Sequence, residues 1–323
     1  MTRRRLGTSD IEVTPIGLGT WQFSKGKGLG GGFWESLDDG ATRAVVEAAL
    51  DGGIDWFDTA EIYGNGNSER GLSAALASLR VAPGSVRVAT KWWPVLRTAR
   101  SILDTIGTRI DCLSPYPIDL YQIHQRFSLS SIDRQLDAMG DLVEAGKVRA
   151  VGVSNFSASA MEKAHSVLAK RGIPLASNQV RVSLLDRSIE RNGLLDAARR
   201  LGVTIIAYSP LAQGILSGRF HDDPSAIESV KRLRRMSGSI RPEKIRRTAP
   251  LVAELKRVAS AHAATPSQVA LNWLVSFWGD TVVAIPGASK PSQASEAAAA
   301  MKFTLTAAEL DSIDRISRGG TEP

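Results

Sequence analysis

The sequence predicts one (β/α)8 barrel of the TIM type, and three observations carry that prediction. Eight short apolar runs rich in Val, Ile and Ala recur along the chain, and strands buried on both faces read this way. Longer amphipathic stretches separate most of them, and repeated βα units imply parallel strands with right-handed crossovers. Eight such units within 323 residues suit a closed barrel. An open doubly wound sheet is the alternative with the same beat. No linker composition divides the chain, so residues 1–323 are taken as a single domain.

The elements follow in order. Residues 3–13 are expected to form an N-terminal β-hairpin that caps the barrel floor. Apolar runs place barrel strands over 13–19, 54–58, 86–91, 118–122, 150–154, 175–180, 203–208 and 282–285. Helical patterns cover 41–51, 68–79, 130–145, 157–170, 193–201, 243–262, 266–278 and 292–301. Gly52-Gly53 stops the first helix, and Ser130 and Gly146 are expected to cap and end the third. Thr265-Pro266-Ser267-Gln268 reads as a capping box with Pro at the first helical position. An extra C-terminal helix follows Thr306.

Composition excludes several classes. No apolar run reaches the ~18 residues of a membrane span. Met1-Thr2-Arg3-Arg4-Arg5 is basic, but no apolar segment follows it, so a cytoplasmic location is expected. One cysteine, Cys112, closes no intramolecular disulfide, and with four histidines it makes no structural zinc site. No metal is expected. The formal charge is +7, from 40 basic and 33 acidic residues. Much of the excess lies in 219–247, at Lys231, Arg232, Arg234, Arg235, Arg241, Lys244, Arg246 and Arg247. A solvated excursion and a lid near a phosphate-bearing ligand both explain it. Nucleic acid does not, because no aromatic residues interleave with the basic ones. Nothing in the pattern sets an oligomeric state.

In such a barrel the chemistry belongs at the C-terminal strand ends. Asp58 ends the second strand with Tyr63 five residues on, and Lys91 ends the third. His124 follows the fourth, Ser154-Asn155 end the fifth and Gln179 the sixth. Tyr208-Ser209-Pro210 end the seventh, and Gly287-Ala288-Ser289-Lys290 follow the eighth. A buried Lys beside a carboxylate keeps its charge. A Tyr near that Lys should have its pKa pulled down from about 10. A nearby His orients a carbonyl oxygen. Together they would protonate a carbonyl while another group delivers hydride. A buried ion pair, a satisfied His and a packing Tyr form the plainer reading. Trp21, Phe23, Phe33, Trp34, Trp92 and Trp93 cluster at two strand ends, as core or as the wall of a pocket for a flat or apolar substrate. Gly26-Lys27-Gly28-Leu29-Gly30-Gly31 matches G-x-G-x-x-G but does not run into a helix, so it reads as a flexible substrate-side loop. His165, His221 and His262 receive no role, and Cys112 is expected to be inert, just before a strand.

Phe57-Asp58-Thr59-Ala60-Glu61-Ile62-Tyr63-Gly64 resembles the signature of the aldo-keto reductases. Gly17-Leu18-Gly19-Thr20-Trp21, Val88-Ala89-Thr90-Lys91-Trp92 and Asp119-Leu120-Tyr121-Gln122-Ile123-His124 resemble further segments of that family, in order. So do residues 146–156, Ile206-Ala207-Tyr208-Ser209-Pro210-Leu211 and Ile285-Pro286-Gly287. The resemblance spans roughly residues 3–318.

The resemblance implies a (β/α)8 barrel and NADPH-dependent reduction of a small-molecule carbonyl, an aldehyde or a ketone. It makes Tyr63 the general acid, tuned by Asp58 and Lys91, with His124 orienting the carbonyl. It assigns Ser154, Asn155 and Gln179 to the nicotinamide carboxamide and stacks Tyr208 under the ring. Gly19, Thr20, Trp21 and Asp58 join the cofactor set, and Ser209, Pro210, Leu211, Gln213, Gly214 and Leu216 line the pyrophosphate. Gly287, Ser289, Lys290, Gln293 and Glu296 take the adenine end. Here the chain departs from the family, with Gln293 where Arg is common and Ala297 where Asn is common. Ser289 and Lys290 remain to hold a 2′-phosphate, so NADPH is favoured over NADH. The substrate pocket is expected from Trp21, Phe23, Tyr63, Trp92 and His124. The loop 21–38 and the Asp-Thr-Ala-Glu-Ile-Tyr-Gly run point to the bacterial and plant branch that includes pyridoxal reductases. The potassium-channel β subunits are similar too, which makes a non-catalytic nucleotide-sensing subunit the alternative. Residues 214–247 are expected to close over the bound dinucleotide.

Overall fold

Two short antiparallel strands, β1 (Arg4–Arg5) and β2 (Glu12–Val13), open the chain. The computed structural model describes residues 2–28, 31–33, 36–228, 230–231 and 240–319. Eight parallel strands then form one sheet: β3 (Leu18–Gly19), β4 (Trp56–Asp58), β5 (Arg87–Trp92), β6 (Leu120–Ile123), β7 (Ala150–Ser154), β8 (Leu175–Arg181), β9 (Thr204–Tyr208) and β10 (Val282–Ile285). Each pairs with its sequence neighbours, an order in which every βα unit lays its strand beside the one before. The first and last strands meet through bridges Ile16–Ala284 and Gly19–Gly287. Gly17 N donates to Ala284 O at 2.9 Å and Gly19 N to Pro286 O at 3.0 Å, which closes the (β/α)8 barrel.

The helices are α1 (Asp39–Asp51), α2 (Asn67–Ser78), α3 (Arg100–Leu113), α4 (Ile132–Glu144), α5 (Ala158–Ala169), α6 (Leu194–Leu201), α7 (Arg219–Asp222), α8 (Pro242–Ala261), α9 (Pro266–Phe277), α10 (Pro291–Ala299) and α11 (Ala307–Gly319). The main core lies between strands and helices, where Val45, Leu72, Ile102, Leu136, Leu168, Leu255 and Trp273 are buried. A second core fills the barrel's lower interior. The hairpin residues Leu6, Ile11 and Val13 plug it against Trp56, Ala89, Leu120, Ala150 and Ile206, so the hairpin does cap the floor. The Thr265 capping box forms, and Pro266 opens α9.

Three local expectations are corrected. Ser131, not Ser130, caps α4 by accepting from Arg134 N. Ser130 Oγ instead accepts from Ala99 N at 2.9 Å. Helix α3 lies where no helix was expected and contains Cys112, which accepts from Arg70 Nη1 at 3.0 Å. Its start carries no capping side chain, and its buried strip is narrow: Ile102, Ile106, Arg109, Cys112 and Leu113. Residues 214–231 are less loop-like than their composition suggests. Ile215, Phe220 and Val230 pack with Ile240 and Ile245 of the following segment as a small core. Arg232, Arg234, Arg235, Trp34 and part of the 26–31 loop lie outside the described residues.

Candidate active site

Side chains alternate along a strand, so one face of each barrel strand points inward. On β4, β5, β6 and β8 that face ends in Asp58, Lys91, Gln122 and Gln179. All four are buried. Lys91 Nζ donates to Asp58 Oδ1 and, at 2.8 Å, to Thr59 O. Asp58 Oδ2 accepts from Gln122 Nε2 at 3.0 Å and from Gln179 Nε2 at 2.8 Å. The carboxylate is thus fully partnered, which a buried charge requires. Burial lowers the Lys91 pKa and the Asp58 charge opposes that shift.

Tyr63 sits above this pair, with Lys91 Nζ 5.1 Å from its ring centroid. Its pKa lies well above the usual phenol value, through burial first and then the Asp58 charge. The expected lowering is therefore corrected. Asp58 offsets much of the Lys91 charge at contact distance, so the positive field that remains does not outweigh desolvation. His124 stands edge-on to Tyr63 at 5.6 Å and to Trp93 at 5.3 Å. Burial and the Lys91 charge hold its pKa well below the usual value, so the ring is neutral at pH 7. Its Nδ1 is buried without a partner, which leaves Nε2 to reach a substrate oxygen.

Asp58, Tyr63, His124 and Gln179 open on a cavity of about 660 Å³. Gly19, Thr20, Trp21, Ser154, Asn155, Tyr208, Ser209, Pro210, Leu211, Gln213 and Gly214 line it, as do Gly287, Ser289, Lys290, Gln293 and Glu296 from the segment after β10. Asn155 Nδ2 donates to Ser154 Oγ at 3.0 Å, and Tyr208 Oη donates to Asn155 Oδ1 at 3.0 Å. Gln293 Oε1 accepts from Ser289 N at 2.8 Å.

The aromatic residues fall on two sides of the strands. Phe33, Trp21 and Tyr63 form a stacked row, Trp21 lying 5.7 Å from Phe33 and 5.9 Å from Tyr63. Phe23 and Trp92 do not line the cavity, which corrects their assignment. Trp92 follows the inward Lys91 and so faces outward, where its Nε1 donates to Ser101 Oγ at 3.1 Å. Phe23 is buried in the main core. Leu216 is likewise core rather than lining.

Sequence reasoning missed Gln22, Gln122, Gln125, Glu61 and Glu69. Gln22 and Gln125 line the cavity. Glu61 Oε1 accepts from Trp93 N and Arg97, fixing the loop that holds Trp93 against His124. Glu69 lies buried between Thr90, at 2.6 Å, and Arg109, at 2.6 Å, and burial pushes its pKa up to about 7. Gln122 was legible: it interrupts an apolar strand in phase with His124.

Known proteins share this architecture. A family model described as "Aldo/keto reductase family" matches residues 15–318. The chain belongs to the aldo/keto reductase family. Among its relatives, an uncharacterised oxidoreductase of Mycobacterium tuberculosis is 38% identical over 309 residues, covering 95% of this chain and 90% of the relative. The chloroplastic pyridoxal reductase of Arabidopsis thaliana is 32% identical over 310 residues, covering 92% and 81%. The glycerol dehydrogenase of Gluconobacter oxydans superposes with a TM-score of 0.79 at 27% identity, covering 99% of this chain and 97% of that one. A thermostable aldo-keto reductase solved with the inhibitor epalrestat gives 0.76 at 28%, covering 98% and 100%. Oxidoreductase activity with a nicotinamide cofactor and a small-molecule substrate follows from family membership.

The residues present fit such a cofactor. Ser209, Ala212 and Gln213 hold left-handed backbone beside Gly214, with φ of 52°, 47°, 56° and 87°. Such conformations persist where the surroundings enforce them, and here Ala212 N donates to Ser209 O and Gly214 N to Leu211 O, both at 2.9 Å, which holds the turn in shape along the cavity wall. Gln22 Oε1 is buried without a partner. Gly287 leaves room beside it, since a Cβ there would lie 2.3 Å from Gln22 Nε2. Among the described residues no helix is long and apolar enough to cross a membrane.

Proposed function

We propose that the protein reduces an aldehyde or ketone to the alcohol with NADPH, and that residues 1–323 act as one domain in the cytoplasm. The observation that carries this reading is that Asp58, Tyr63 and His124 meet on one cavity with Lys91 buried behind them on Asp58, the four coming from three successive strands and their loops. NADPH supplies the hydride when bound. Ser154, Asn155 and Gln179 would hold its carboxamide, Tyr208 its ring, and the 209–214 backbone its pyrophosphate. Lys290 and Ser289 would hold the 2′-phosphate, since a charge-assisted contact to phosphate is a strong one.

Tyr63 gives the proton. Its raised pKa keeps it protonated at neutral pH, so the donor form is fully populated. As the proton leaves, the Lys91 ammonium stabilises the phenolate. His124 is neutral and donates one N–H to the carbonyl oxygen. Reduction draws on the protonated phenol and holds up as pH rises through the neutral range. Oxidation of the alcohol needs the phenolate and gains with pH.

The stacked row of Phe33, Trp21 and Tyr63 favours a flat substrate. Similarity to a plant pyridoxal reductase supports the same direction. The test is NADPH oxidation with pyridoxal, benzaldehydes and straight-chain aldehydes. Turnover is expected, with flat aldehydes giving higher kcat/KM than chains of equal carbon number. Tight NADPH binding with no turnover on any carbonyl would favour the nucleotide-sensing role instead.

A further inference from the structure

Asp58 divides its two oxygens between two kinds of partner. Oδ1 meets Lys91, and Oδ2 accepts from Gln122 and Gln179. An ionised carboxylate only accepts, so both amides must turn their NH2 groups toward it. That fixes Gln122 Oε1 on the other side, where it accepts from Gln179 Nε2 at 3.2 Å. The three side chains close a triangle in which every orientation is set by chemistry.

The two glutamines are not equivalent. Gln179 and Asp58 line the cavity, and Gln122 does not. Gln179 therefore lies open to a ligand, while Gln122 has no access to one. Its place is also built. Gln122 pairs in register with Gly152 on β7. A Cβ at Gly152 would lie 2.5 Å from Ser177 Oγ and 3.0 Å from Gln122 Cγ. The strand beside Gln122 thus carries no side chain at this level, and the amide occupies the space.

We propose that Gln122 is a positioning residue that holds the Asp58 carboxylate against Lys91 when a ligand draws Gln179 away. This rests on the reading of Tyr63 as the acid served by that pair. Without Gln122, Oδ2 would keep no partner outside the cavity, and the carboxylate could turn off Lys91. A residue that only fills space would be replaced by an apolar side chain of equal length at no cost to the chemistry.

The experiment uses the full chain with Gln122→Met, Gln122→Glu and, as a control, Tyr63→Phe. Gln122→Met keeps length and removes the donor. Its kcat is expected to fall about tenfold or more, as loss of a hydrogen bond to a charged group implies, with the NADPH Kd within about twofold of wild type. Gln122→Glu donates to Asp58 only while protonated, because two carboxylates in contact share one proton. Its kcat is expected to be highest near pH 6 and to fall at least about tenfold by pH 9, against less than about threefold for wild type. If Gln122→Met does not fold, Gln122→Glu decides alone, since its loss is read within one folded protein across pH. Wild-type kcat in Gln122→Met, or a wild-type pH profile in Gln122→Glu, overturns the proposal. Tyr63→Phe separates the two levels. If it loses activity while the Gln122 variants do not, only the positioning role fails. If it stays active, the reading beneath it fails.

Discussion

The floor and the mouth of the barrel are built from the same strands two residues apart, yet they do opposite things. At the floor, Trp56, Ala89, Leu120, Ala150 and Ile206 point inward and meet the hairpin residues Leu6, Ile11 and Val13. Two residues further on, the inward positions are Asp58, Lys91, Gln122, Gly152 and Tyr208. The floor is apolar and sealed. The mouth holds a buried ion pair, an unpartnered His124 Nδ1 and a run of left-handed backbone. One β period therefore separates groups that hold the fold from groups that are costly to bury. Such a cost persists only where the surroundings enforce it, and it singles out this end of the barrel as the candidate site for chemistry.

The comparison breaks most visibly at Lys91. Lys91→Met leaves the Asp58 carboxylate buried and unpaired. It should destabilise the fold by about 3–5 kcal/mol and lower kcat by at least about 10²-fold. Denaturant melts and turnover on one preparation measure both. Unchanged stability would mean that the buried pair does not hold the mouth together.

Trp56→Ala is the matched change at the floor. Truncating this buried ring should cost about 3–5 kcal/mol of stability while kcat per folded molecule stays at the wild-type value. A loss of kcat at a temperature where the variant is folded would erase the division between floor and mouth.

Glu69 sharpens the comparison through pH. Its folded pKa is raised to about 7 by burial, ahead of opposing effects from Arg109 and Thr90. A raised carboxyl pKa means that stability present at low pH is lost as pH climbs through the folded value. Between pH 5 and pH 8 the loss should be roughly 3 kcal/mol, and Glu69→Gln should flatten it. A Tm that rises over this range in wild type, or falls equally in Glu69→Gln, would contradict the assignment.

Lys290→Ala is the smallest effect. NADPH should bind about tenfold more weakly, the weight of one charge-assisted contact, with NADH unchanged. Trp fluorescence titrations distinguish the two. Equal losses for both cofactors would move the specificity away from the 2′-phosphate.

Much of this was legible from residue type and spacing. The barrel strands were apolar runs, and their polar ends marked the mouth because hydrophobic strands rarely finish in Asp, Lys and Gln. What was missed depended on direction. Trp92 reads as pocket wall by type, but it follows an inward lysine and so must face the helices. Phe23 lies next to Gln22, which lines the cavity, yet turns into the core. Ser130 and Ser131 are equivalent as capping letters, and only the approach of Ala99 N decides between them. The Tyr63 shift depended on a distance: Lys91 is near the ring, but Asp58 is nearer to Lys91.

The central claim is that the mouth protonates a carbonyl through Tyr63, and Tyr63→Phe tests it most directly. The ring and its stacking on Trp21 remain, and only the hydroxyl is removed. With NADPH binding measured on the same samples, Kd should be unchanged and kcat lowered by about 10²–10⁴-fold on the best carbonyl substrate. A Phe variant that keeps more than about a tenth of the wild-type kcat would contradict it.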